Sequence, residues 1–385
     1  MRKSRILKLI CVVISVTFAC ALFFLTVVAD EQGENQKIPD EYKDFIGSLP
    51  SDVIDKLDGA LSDDVNDIKD AAIELSAAEN ILNTLIDLFF EQAKAALPML
   101  AMLLGIVIIS SVINTFSSSF GGGLGGVISF CVRLCTYTLI SGTAISSLTV
   151  ISNYFSSLFS AVAAFLPLSA TLYAMGGNLT LAATSVAGTS IMLAVCQFVC
   201  AYTVIPVFCV CLSLSLISVF DGVVSFAGAK IIASIKKWYN IALGIVMTLL
   251  TASLAAQTIV ASRADGVAMK GIKFAAGSLI PISGGAVSST LGTLVTSVGL
   301  IRGSVGVVGI IALILLLLPT LISLMLMRFS YSVAEICAGL LSASGEQKLL
   351  NEIGSIYGYL EGVAILCSSV FIVALAIFCS VSTPI

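Results

Sequence analysis

The sequence has no histidine. That removes the commonest general base and the commonest metal ligand together. Charge is scarce as well: Asp, Glu, Lys and Arg make up 11% of the residues, against about 25% in an ordinary soluble domain. There is no Cys-x-x-Cys, although there are eleven cysteines. These are Cys11, Cys20, Cys131, Cys135, Cys196, Cys200, Cys209, Cys211, Cys337, Cys367 and Cys379, all in apolar surroundings, where free Cys behaves as a small hydrophobe. The net charge is −4, and no dense basic cluster is set up to grip phosphates, so nucleic acid is not an expected partner. The glycine-rich run Gly121–Gly126 is not followed by Lys-Ser or Lys-Thr, as a phosphate-binding loop requires. No metal, cofactor or covalent catalysis is expected.

What the chain does have is apolar residues. They make up 58% of it, and the mean hydropathy is +1.08. A soluble fold of this length cannot bury so much apolar surface, so the lipid bilayer is the expected solvent. The charges are unevenly placed: 17 of the 23 acidic residues lie between Asp30 and Glu91. The expected architecture is an all-α polytopic membrane protein with about seven to eight transmembrane helices and a short acidic helical ectodomain.

Residues 1–29 read as a signal peptide or signal anchor. Arg2, Lys3, Arg5 and Lys8 precede an uncharged apolar run, and Val27 and Ala29 form a Val-x-Ala pattern before Asp30. Residues 30–95 form the acidic domain, expected outside the cytoplasm. Within it Leu61, Ile68, Leu75 and Leu82 recur every seven residues, an apolar stripe on an acidic helix. The stripe is either internal packing or a docking face for a partner helix.

Residues 96–385 form the membrane domain. Spans are expected at about 97–116, 127–150, 155–175, 180–202, 204–220, 238–262, 304–327 and 362–382, with a turn near Pro206. Arg133 lies close enough to the start of its span to snorkel toward the headgroups. Lys230, Lys236 and Lys237 before Trp238 and Tyr239 mark a cytoplasmic edge. An amphipathic helix near 345–360, with Ser344 and Gln347 as a capping box, is expected in the membrane interface. Asp221, Asp265, Glu346, Glu352 and Glu361 are read as flanking spans, and Glu335 as the acid most worth inspecting for a buried partner.

Residues 263–309 stand apart. They open with Arg263, Asp265, Lys270 and Lys273, and ten glycines fall between Gly266 and Gly309. Pro281 in a helix interior costs roughly 3 kcal/mol, and Gly284 and Gly285 about 1 kcal/mol each. A helix broken at Pro281, Gly284 and Gly285 is expected, with the four charged residues at its mouth. Such breaks line substrate sites in transporters. Close helix packing through small residues is the simpler explanation.

The stretch SRADGVAMKGIKFAAGSLIPISGGAVSSTLGTLVTSVGLIRGSVGVVGIIALILLLLP resembles the stage III sporulation protein AE family. Its Arg-x-Asp-Gly opening, spaced lysines, Ile-Pro-x-x-Gly-Gly turn and later Ile-Arg-x-x-x-Gly carry the likeness, and the layout of nearly the whole chain agrees with it. The resemblance implies a subunit in the mother-cell membrane around the forespore. It implies partners too: the other membrane subunits of a sporulation channel or secretion-like complex that joins the two cells and supports late forespore gene expression. A self-sufficient transporter or permease is the alternative.

Overall fold

The computed structural model describes residues 38–57, 62, 65–75, 78–117, 123–215, 223–279 and 284–380. Among these residues there is no strand. Three short helices come first: α1 (Glu41–Gly47), α2 (Ser51–Ile54) and α3 (Val65–Leu75). Long rods follow: α4 (Ala78–Ser117), α5 (Gly123–Met175), α6 (Leu179–Val199), α7 (Ile205–Ser215), α8 (Val223–Leu279), α9 (Gly284–Leu340) and α10 (Ser344–Ser380). The segment 1–29 lies outside the described residues.

Among the described residues six rods are long and apolar enough to cross a bilayer, close to the seven or eight spans expected. The difference has two physical causes. Predicted spans 127–150 and 155–175 are one 53-residue helix, α5, about 80 Å long at 1.5 Å per residue. Predicted spans 180–202 and 204–220 are likewise one rod over the described residues. There α6 runs into α7 through a π-helical turn at Cys200–Val204. Pro206 follows at once. The wider π turn relieves the clash between a proline ring and the carbonyl of the preceding turn, so Pro206 does not end the helix.

The rods alternate in direction. The α5–α6 connection is closed by Gly177 at φ +77°, with Asn178 N–H donating to Tyr173 O and Gly177 N–H to Ala174 O. The α9–α10 connection repeats this bond pattern around Ser342 at φ +58°, with Ala343 N–H to Ala338 O and Ser342 N–H to Gly339 O. Both satisfy the orphan carbonyls that a helix end leaves in an apolar setting. A serine in the left-handed region is uncommon. Its two bonds allow α9 and α10 to fold back on each other within three residues.

Helices α9 and α10 form the most closely packed pair. At one end a Cβ on Gly306 would run into the Cys379 side chain, and at the other a Cβ on Gly339 would stand 3.1 Å from Gln347. Helix α5 lies alongside α10 in the same direction. Tyr154 bonds Ser368, and Phe165 meets Phe378 edge to face at 5.1 Å. Residues 345–360 were expected in the membrane interface, but they form the first half of α10. Leu349, Leu350, Ile353, Ile356, Tyr357 and Leu360 are all buried in the bundle, because α5 and α9 cover that face.

The acidic domain docks on this bundle. Phe45 of α1 packs edge to face on Phe165 at 5.4 Å, and Thr171 Oγ1 donates to Glu41 Oε1 at 3.1 Å. Ile68 of α3 is fully buried and Leu75 is half-buried, which assigns these two stripe residues to internal packing. Leu61 and the side chain of Leu82 lie outside the described residues.

Candidate functional site

Helix α8 ends at Leu279 and α9 begins at Gly284. Pro281 lies outside the described residues, as do the surroundings of Gly284 and Gly285. Three of the four charges expected at the mouth of the break can be placed. Arg263 and Lys270 are exposed, whereas Asp265 is buried. The side chain of Lys273 lies outside the described residues.

Asp265 serves the fold. Its two carboxylate oxygens accept the Thr180 and Leu181 N–H groups at 3.1 and 2.8 Å. These are the first donors of α6, whose own N-cap residue, Asn178, makes no side-chain cap bond. Helix α8 thus supplies the cap for α6, and the negative charge meets the positive end of that helix dipole. Asp265→Ala is expected to leave the buried Leu181 donor and the part-buried Thr180 donor without acceptors, at a cost of about 1–3 kcal/mol. Asp265→Asn, which keeps one acceptor, should cost less. Thermal unfolding of the detergent-solubilised protein reads the order; equal losses for the two variants would contradict it.

Further charges gather in the middle of the bundle. Glu361 is 2% exposed and pairs through Oε2 with Arg328 Nη1 at 2.8 Å. The guanidinium lies over Gly358, where a Cβ would come within 3.0 Å of Cζ. Close by, Lys236 donates to Ser355 Oγ, and Ser355 Oγ donates to the Glu352 carbonyl at 2.5 Å. Glu352 is itself buried. Hydroxyl pairs tie α5 to the same region: Thr143 with Tyr331 at 2.6 Å and Ser147 with Tyr357 at 2.8 Å.

Glu346 forms a second buried station near the α9–α10 turn. Its Oε1 accepts Ser110 Oγ at 2.5 Å and Asn114 Nδ2 at 2.9 Å, which fastens α4 to α10. Arg133 does not only snorkel, since its Nε would stand 3.0 Å from a Cβ on Gly345. Arg302 is buried with its guanidinium 5.6 Å from the Tyr173 ring centre.

Glu346, Glu352 and Glu361 are therefore inside the bundle, not at its margins, whereas Glu335 is only half-buried. One signal was available: Glu346 is spaced by sevens from Ile353 and Leu360, so the helical period puts it on the apolar face. Among the described residues no group of three or more Cys, Asp or Glu could hold a metal ion.

The fold defines a polytopic integral membrane protein, with six long apolar helices among the described residues and buried charges tied to neighbouring helices. The family model for stage III sporulation protein AE matches residues 60–382. The chain belongs to that family, which places its role in stage III of sporulation. No curated protein and no solved structure matches it.

Proposed function

We propose that this chain is a membrane subunit of a multiprotein channel or secretion-like complex linking mother cell and forespore, and that it performs no covalent catalysis. In this reading it sits in the mother-cell membrane around the forespore, with α1–α3 facing the space between the two membranes. The other membrane subunits of the complex are its partners. The observation that supports this best is how the buried polar groups are used. Glu346, Asp265 and the Arg328–Glu361 pair each join one helix to another, as expected of a scaffold whose work is to hold a shape. Deleting the chain should abolish late forespore gene expression, and re-expression should restore it. Normal expression without the chain would refute the proposal.

A transporter is the second reading. It is favoured by the glycine-rich sequence around Pro281, Gly284 and Gly285, of the kind that lines substrate sites.

A further inference from the structure

We propose that two copies of this chain pair in the membrane through the outward face of α4, about a two-fold axis along the membrane normal. The inference goes beyond the proposed function and stands on where the apolar belts of the bundle lie.

Two helices carry long exposed apolar belts. That of α4 runs from Leu97 to Phe116 and that of α8 from Trp238 to Val260. Each is about 30 Å long at 1.5 Å per residue, the thickness of the hydrocarbon core. Contacts with α10 fix their levels. Lys236 of α8 bonds Ser355, and Asn240 lies against Gly362, so α8 runs parallel to α10 with its belt beside the second half. Ser110 and Asn114 of α4 bond Glu346 at the start of α10, so the belt of α4 lies beside the first half. The offset between the two belts is about 30 Å along the bundle.

One flat bilayer cannot hold both belts. Helices α4 and α8 each pack on α9, so they stand at most two helix spacings apart, about 20 Å. Levelling the belts across that width would take a tilt of more than about 50°, whereas membrane helices tilt by about 0–40°. The belt of α8 is the one that meets lipid. Lys236 and Lys237 precede it and Trp238 opens it, as at a membrane edge. Its far end is level with Phe378, where the acidic domain docks through Phe45 and Phe165. At the level of this belt α4 exposes Asp87, Glu91 and Lys94, which hydrocarbon accepts only at high cost. The outward side of α4 is therefore covered by protein, and its apolar belt continues past the hydrocarbon on the side of Lys236.

The covering protein is a second copy. Met102, Gly105, Ile109, Val112 and Phe116 recur at alternating steps of three and four, the seam of a two-helix coiled coil. Ile109 is 62% exposed and Phe116 66%. Among the described residues a Cβ on Gly105 would meet nothing within 4 Å, so a partner helix has room to approach there. A second copy inserted in the same orientation presents the same seam at the same level. Rotation about the membrane normal sets the two seams parallel and in register, in an isologous contact.

The test places a photoreactive benzoylphenylalanine at Ile109, and in a separate variant at Leu249, in the full-length protein in its native membrane. Irradiation should give a product of twice the chain mass from Ile109, and a phospholipid adduct without dimer from Leu249. Gly105→Phe, which adds bulk where the chain itself leaves room, should lower the Ile109 dimer about tenfold while the protein still accumulates. A phospholipid adduct or an adduct to a different protein at Ile109, in place of the dimer, overturns the proposal. So does a dimer from Leu249, or an Ile109 dimer indifferent to Gly105→Phe. Membership of a larger complex is read separately, from partner subunits, and survives any of these failures.

Discussion

Arg328→Ala should destabilise the bundle far more than Glu361→Ala, although both remove the same ion pair. Removing the arginine strands a carboxylate that is 2% exposed, and an uncompensated buried charge costs about 3–5 kcal/mol. Removing the glutamate leaves Arg328, which is 31% exposed. Its long side chain can turn its charged head toward water, so the loss should be nearer 1 kcal/mol. Glu361→Gln should fall at the low end, because an amide oxygen still accepts from the guanidinium. Thermal unfolding of the three variants in one detergent gives the order. Equal losses for Arg328→Ala and Glu361→Ala would mean that the burial of Glu361 does not set the cost.

Gly284→Leu combined with Gly285→Leu should abolish sporulation activity while the protein still accumulates in the membrane. Both glycines sit at the first turn of α9, just past Pro281. Large side chains there would block close approach of a neighbouring helix or fill a wet cavity. The bundle beyond is held by contacts farther along α9, such as Gly306 against Cys379, so insertion should survive. Immunoblotting of membranes together with late forespore gene expression checks both halves. Normal expression from an accumulated variant would reduce the segment to inert packing.

The sequence disclosed what period and composition can carry. Charge scarcity announced the membrane, and the seven-residue stripe marked Ile68, which the fold buries. The family pattern was legible in 262–319. The joins between apolar runs were not, because hydropathy records the runs and not whether the helix continues between them. A π turn at Cys200–Val204 carries the chain past Pro206, and α5 runs straight through a region where two spans were expected. The roles of the acidic residues were hidden for a related reason. Asp265 and Glu361 look alike in sequence, each lying beside an apolar run. Only the fold brings α6 to one and Arg328 to the other, across separations of 84 and 33 residues.

Gentle extraction from sporulating cells, followed by mass determination of the intact particle and identification of its subunits, tests the central claim most directly. The account predicts one particle in which this chain is held with other membrane subunits of the sporulation machinery. A chain recovered without any other subunit, yet able to move a solute across a reconstituted bilayer, would contradict it and establish the transporter reading.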